Sequence, residues 1–276
     1  AGAGLRETVT RLRAALLDGP APDDDAEPVR IFVTGGRPDS GSTAHKPGSP
    51  AGGPGSAGGG VGWRSLPDWP PPARATPWYL SDGGRLRSAP PTTSEPGRYR
   101  YDPADPTPAL SGPVLGARTS GPVDNRELEA RADVLVFTGT ALDADLDVIG
   151  PVSARLHVTA SAGYADFFVR LCDVHPDGRS LNVCDGLLRI QPDEPDAAAA
   201  DADGIRPVTV ELWPTAHRFA RGHRIRLQVS SGAAPRFARN PGTGEPLGEA
   251  TRLVASDQAV HHDADHPSAI VLPVVG

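Results

Sequence analysis

A serine hydrolase needs a nucleophile raised on a strained turn, which in α/β enzymes reads G-x-S-x-G. No serine of this 276-residue chain stands in that setting. Ser180 comes nearest, with Gly178 two residues before it, but Asn182 stands two residues after it, inside a stretch that reads as a hairpin. The densest group of metal-ligand types is His261-His262-Asp263-Ala264-Asp265-His266. Such side chains hold zinc or copper. Neighbours along one loop seldom converge on one ion, however, so the run reads as a solvated loop ahead of a strand. Asp143, Asp145 and Asp147 imitate the start of a calcium loop. The sixth position of that loop is Val148 rather than Gly, and the twelfth is Ala154 rather than Glu, so the triplet reads as a charged strand entry. His157 and His217 read as sheet or loop histidines. Gly-rich residues 52–60 lack the Lys and the strand–helix setting of a phosphate-cradling loop. Cys172 and Cys184 fit neither zinc nor redox spacing and are expected to be ordinary thiols on neighbouring strands. These residues supply no catalytic group and call for no metal and no cofactor.

The elements that would have to position such groups are mostly strands. One helix is expected, over residues 5–17, where Leu5, Val9, Leu12 and Leu16 form an apolar stripe. Asp18-Gly19-Pro20 stops it, and an acidic linker runs to Pro28. A lone helix of that length is marginal in water, and nothing helical follows, so its stripe is expected to lie on a neighbouring domain. Val29–Val33 reads as a strand. From Gly35 to Gly60, 14 of 26 residues are Gly or Pro, a flexible insertion that cannot bury a core. Residues 61–122 stay Pro-rich but carry Trp63, Trp69, Trp78, Tyr79, Tyr99 and Tyr101, the pattern of an irregular loop pinned by aromatics. From Val134 onward, short β-branched runs follow one another: 134–138, 147–149, 153–159, 167–174, 180–190, 208–212, 225–230 and 270–275. Pro176-Asp177-Gly178 marks a hairpin turn among them. Strands without intervening helices indicate an all-β sandwich. An Ala/Asp-rich stretch at 193–204 reads as a loop.

Composition excludes several classes of function. Basic and acidic side chains number 27 and 34, a net charge of −7, and no basic run argues for nucleic acid as a partner. No apolar stretch approaches a membrane span, and none resembles a signal leader. Two cysteines without a disulfide framework lean towards the cytoplasm. The chain lacks Met altogether and is expected to be a piece of something longer.

Several ordered motifs resemble a known family. They are Tyr101-Asp102-Pro103-Ala104-Asp105-Pro106, then Asp124-Asn125-Arg126 leading into Arg131-Ala132-Asp133-Val134-Leu135, and Gly150-Pro151-Val152-Ser153-Ala154. Asp173-Val174-His175-Pro176-Asp177-Gly178-Arg179, Gly222-His223-Arg224-Ile225-Arg226 and His266-Pro267-Ser268 follow in order. Together with Trp63–Pro71 and Thr76–Leu80, they resemble the C-terminal domain of the Xaa-Pro dipeptidyl-peptidase and cocaine-esterase-like serine hydrolases. The resemblance implies a jelly-roll β-sandwich of galactose-binding-like fold over 29–276. It makes residues 1–28 the last helix and linker of an α/β-hydrolase domain. The Ser-His-Asp triad would then lie in that upstream domain, the partner in cis, and no triad residue carries over to this chain. Val114 and Leu115 would help line the pocket for an ester or peptide substrate. A homo-oligomer stays open. The alternative is a carbohydrate-binding module stacking sugars on Trp63, Trp69, Trp78 and Tyr79.

Overall fold

The computed structural model describes residues 2–17, 27–36, 61–113, 120–191, 199–246 and 248–276. Most of the Gly/Pro-rich insertion, most of the acidic linker, Val114, Leu115 and half of the 193–204 stretch lie outside these residues. Helix α1 runs Gly2–Leu16. Its stripe is bare: Val9, Leu12, Leu16 and Leu17 are between 43% and 76% exposed.

The rest is β structure. The strands are β1 Val29–Gly35, β2 Gly62–Leu66, β3 Arg74–Ser81, β4 Arg85–Arg87, β5 Gly97–Tyr101, β6 Leu135–Thr138 and β7 Leu146–Ala160. They continue as β8 Ala165–Val174, β9 Ser180–Ile190, β10 Arg206–Phe219, β11 Arg224–Ser230, β12 Ser256–His261 and β13 Ala269–Val275, with a one-turn helix α2 at Arg126–Glu129. They hydrogen-bond in the order β2-β1-β10-β7-β13-β3-β4-β6-β11-β8-β9, with β12 pairing β7 and β5. Among the described strands, only the β1/β10 and β4/β6 pairings are parallel. This single mixed sheet curls until β9 and β8 lie against β10, so one apolar core fills the inside. Phe167, Val169 and Leu171 of β8, Leu156 and Val158 of β7, Val210 of β10 and Ile270 and Leu272 of β13 all reach it.

Two expectations need correcting. The 61–122 region is not an irregular loop: β2 to β5 lie within it, and β3 pairs with β13 along its length. Its prolines concealed the strands. Pro77 sits within β3 and Pro273 within the facing β13, places that proline usually avoids in a sheet. The runs at 147–149 and 153–159 are one strand, β7, which passes through Gly150 at a φ of +133°.

Strand β8 is buried at every position. Alternation along a strand sends Ala165, Phe167, Val169 and Leu171 to the core and Asp166, Phe168, Arg170 and Cys172 to the other face. Loops cover that second face. Asp166 receives Arg189 Nη2 at 2.6 Å and Asn240 Nδ2 at 2.8 Å, and Phe168 packs on Phe237 with ring centres 6.1 Å apart. Polar residues placed in this way cannot be told from solvent-facing ones in the sequence.

Because the bared stripe of α1 touches solvent, its removal should leave the sheet untouched. The variant Leu12→Ser/Leu16→Ser is expected to unfold in urea within about 0.5 kcal/mol of the parent chain. A loss of several times that amount would mean the helix packs on the sandwich in solution.

Candidate functional site

Where β9 meets β10, a cleft of about 680 Å³ opens. Its walls are Leu181–Asp185 of β9, Trp213, Pro214 and His217 of β10, and Thr34-Gly35 at the end of β1. Asp173 and His175 form its floor, and Gly112, Pro113 and Ser120–Pro122 roof it.

The floor is a shared carboxylate. Asp173, 1% exposed, faces His217 Nε2 at 3.0 Å through Oδ2 and His223 Nδ1 at 2.8 Å through Oδ1. A carboxylate can only accept, so both imidazoles donate here. His175 stacks beside His223 with ring centres 4.3 Å apart, and its Nε2 lies 4.0 Å from Asp173 Oδ2. The far nitrogen of His217 lies 2.9 Å from Thr34 Oγ1, and Thr34 donates to the Ala216 carbonyl at 3.1 Å. Gly35 makes this approach feasible: at φ +78° a Cβ there would lie 2.3 Å from the Arg218 carbonyl and 2.5 Å from the His217 ring.

Thr34, His217 and Asp173 thus line up as hydroxyl, imidazole and carboxylate, the order of a catalytic triad. The resemblance stops at the hydroxyl. Thr34 lies inside the β1/β10 pairing, where the Ala216 carbonyl at 3.1 Å and His217 Nδ1 at 2.9 Å compete for its single proton, so it is a strand-edge clamp. His217 read as a satisfied sheet histidine, and its partners agree with that. Asp173 and Arg179 flank the hairpin turn at a spacing that would let them pair across it. Instead Arg179 turns to Asp177 at 2.8 Å, and Asp173 takes the histidines.

The roof is held by a second buried network. Arg170, fully buried, donates to the Leu110 carbonyl and to Asn125 Oδ1, both at 2.8 Å, and pairs with Asp185 at 3.1 Å. Arg236 meets the other Asp185 oxygen at 2.7 Å, an ion pair whose angle gives no well-directed hydrogen bond. Asn125 donates to the Val123 carbonyl at 2.8 Å, and the Val123 amide donates to Asn182 Oδ1 at 2.8 Å. Asp124 is gripped by Arg126 at 2.6 Å, and that guanidinium holds its carboxyl down to about 2. Arg131 likewise meets Asp133 at 2.7 Å. The segment from Leu110 to Asn125 is therefore fastened at both feet. Its tip, with Val114 and Leu115, lies outside the described residues.

The remaining candidates are placed as follows. Cys172 and Cys184 are free, buried thiols on the adjacent strands β8 and β9, and burial pushes Cys172 up to about 12, far from a reactive thiolate. Asp147 at the start of β7 is neutralised by Arg218 at 2.6 Å and Arg64 at 2.8 Å. The four aromatics proposed as a sugar platform are scattered. Trp63 on β2 stands edge-on to Phe32 of β1 at 5.4 Å, whereas Trp78 packs on the core from β3. Tyr79, next along β3, faces the opposite way.

Beyond His261, the run 261–266 is a loop with Ala264 and Asp265 exposed, but its histidines are partly or fully buried. His261 ends β12, and His262, 3% exposed, faces Ser94 Oγ at 2.8 Å. His266 sits between Asp263 at 3.1 Å and Asp201 at 3.0 Å. Burial holds His157, His175, His261 and His262 below the ordinary histidine value. For His266 burial also pulls downward, but the bonds to Asp201 and Asp263 outweigh it and raise the value. Histidines held low in the fold protonate more readily once unfolded. They therefore cost stability as pH falls below about 6.5. His266 acts in the opposite sense: its contribution is complete below about 6.5 and is lost as pH rises through its raised folded value. Four against one, the depressed group decides the sign. The denaturant midpoint is expected to drop between about pH 7.5 and pH 5. A midpoint that is flat or rises over that window would show that the buried histidines are not neutral.

Comparison with known proteins accords with this picture. The family described as the X-Pro dipeptidyl-peptidase C-terminal non-catalytic domain matches residues 24–271. Cocaine esterase of Rhodococcus sp. (strain MB1 Bresler) is 37% identical over 228 residues, covering 77% of this chain and 40% of the esterase. A putative serine esterase of Mycobacterium bovis is 32% identical over 234 residues, 77% of this chain and 36% of that protein. Among solved structures, an α-amino acid ester hydrolase superposes with a TM-score of 0.77 at 26% identity, covering 97% of this chain and 44% of that one. An aminopeptidase from a marine-sediment Thaumarchaeota archaeon gives 0.75 at 25% identity, over all of this chain and 45% of that one. The chain thus spans well under half the length of these relatives. With its all-β curled sheet and the family match over residues 24–271, it belongs to the family of X-Pro dipeptidyl-peptidase C-terminal non-catalytic domains.

Proposed function

We propose that this chain is the accessory C-terminal part of a serine hydrolase acting on esters or amides. Residues 29–276 form a jelly-roll sandwich, and residues 1–28 are the last helix and linker of an α/β-hydrolase domain. Acyl transfer through a serine acyl-enzyme is carried out by that domain. The sandwich stabilises the enzyme and closes one side of the substrate pocket with Val114 and Leu115. The observation that carries this reading is the family match over residues 24–271, with esterases among the relatives. Two features of the chain support it. The bare stripe of α1 needs a partner surface, which the sheet of a hydrolase domain would supply. The loop that bears Val114 and Leu115 has both feet pinned by Arg170, Asn125 and Asn182, as suits a loop that must hold a pocket wall in place.

Residues lining an acyl pocket discriminate by fit, at about 10–200-fold for small differences in apolar bulk. In the chain joined to its hydrolase domain, Val114→Ala/Leu115→Ala is expected to lower kcat/KM for bulky aryl esters about tenfold while leaving acetate esters nearly unchanged. Equal effects on both ester classes, or none on either, would remove these two residues from the pocket.

A further inference from the structure

The carboxylate floor of the cleft has a feature that its role as a fold clamp leaves unused. Asp173, His175 and His223 each offer one ligand atom, and the three atoms lie within 4.8 Å of one another. We propose that these residues form a binding site for a divalent transition-metal ion of the zinc type, entered from the cleft. The site goes beyond the accessory role and does not depend on it.

The geometry is close to what such an ion needs. Tetrahedral zinc with bonds of about 2.0–2.1 Å keeps its ligand atoms roughly 3.3 Å apart. His223 Nδ1 and Asp173 Oδ1, now 2.8 Å apart, would open by about 0.5 Å. His175 Nε2, now 4.0 Å from Asp173 Oδ2 and within 4.8 Å of the other two ligand atoms, would close towards the ion as its ring turns. His175 is the mobile member: it is partly exposed and has no closer acidic contact than that 4.0 Å, so its ring can swing without breaking the fold. Two imidazoles and a carboxylate form a donor set that zinc accepts with water in the fourth position.

The surroundings fit as well. A metal ligand is normally oriented by a group behind it. Here His217 donates to Asp173 Oδ2 at 3.0 Å and is itself fixed by Thr34, so the carboxylate is already aimed. Asp173 and His175 line the cleft, which supplies the entry path. On binding, the ion displaces the His223 Nδ1 proton that now points at Asp173, and that proton passes to solvent. Asp173 and His175 sit at the start of the β8–β9 turn, and His223 sits in the β10–β11 turn. The ion would therefore tie two neighbouring hairpins together.

The test is titration of the full 276-residue chain with zinc chloride near neutral pH, followed by calorimetry, with cobalt(II) absorption as a spectroscopic partner. One equivalent is expected to bind with a dissociation constant of about 10 µM or below, and cobalt should give the strong visible bands of a tetrahedral site. His175→Ala should weaken zinc at least about tenfold, with its melting curve checking the fold. His261→Ala/His266→Ala, in the separate surface cluster, should leave the affinity unchanged. Binding weaker than about 100 µM by the parent chain, octahedral cobalt bands, or equal affinity in His175→Ala would each overturn the site.

Discussion

Replacing Arg170 with alanine is expected to cost the domain about 3–5 kcal/mol, the range for removing one partner of a buried ion pair. Arg170 and Asp185 are 0% and 1% exposed. The truncation would strip Asp185 of one of its two guanidinium partners and leave Arg236 as the other. It would also orphan the Leu110 carbonyl and Asn125 Oδ1, both bonded to Arg170 at 2.8 Å. Urea denaturation measures the loss. A stability within about 1 kcal/mol of the parent would mean that the network holds no more than an exposed surface pair does. The loop makes a separate prediction. With Arg170 gone, residues 110–125 lose an anchor at each foot, so their amides should exchange faster than those of the core strands.

The second large effect is expected at Gly186. A Cβ built there would lie 2.0 Å from the Glu211 carbonyl oxygen and 2.9 Å from its carbon. Both atoms are backbone of β10, so no side chain can turn aside to make room. Gly186 is thus the point where β9 touches β10 as the sheet closes on itself, and the cleft opens beside that contact. Gly186→Ala must push the two strands apart, at a cost of about 3 kcal/mol or more, the upper end for overpacking. The displaced strands carry Asp185 and His217, so the cleft should distort together with the loss of stability. A crystal structure of the variant with an unmoved β9/β10 contact, or a cost below about 1 kcal/mol, would show that the sheet yields more easily than the approach implies.

Much of the fold was legible in the sequence because its core strands alternate. Ser180–Ile190 appeared with its true bounds, and Arg224–Ser230 within one residue, from β-branched runs and the Pro176-Asp177-Gly178 turn. The strands of residues 61–101 were hidden by the prolines between them and by Pro77, which sits inside β3 paired with Val271 of β13. Strand β12, Ser256–His261, was missed because Ser256, Asp257, Gln258 and His261 read as loop. In the fold Ser256 and Gln258 are buried, with Gln258 Oε1 accepting from Tyr99 at 2.7 Å.

The site was less legible. Arg126 and Arg131 find carboxylates two residues away along the chain, Asp124 and Asp133, whereas Asp147 draws Arg64 and Arg218 from far along it. Asp173, His217 and His223 come from three strand ends and meet only because β8, β10 and β11 converge, which no local pattern reveals. One signal was available: Asp166, Arg170 and Asp173 interrupt an otherwise apolar run in β8. Charges on a strand buried on both faces must find partners from elsewhere in the chain.

On the proposed function, the catalytic serine lies outside these 276 residues. The measurement that tests it most directly is turnover of p-nitrophenyl esters and Xaa-Pro nitroanilides by the purified chain, with and without a fluorophosphonate. No turnover above buffer and no covalent label are predicted, and Thr34→Val should change neither reading. Turnover that fluorophosphonate titrates to zero, with one label per chain, would contradict the account. If Thr34→Val then abolished it, the Thr34–His217–Asp173 alignment would have to be read as an active site.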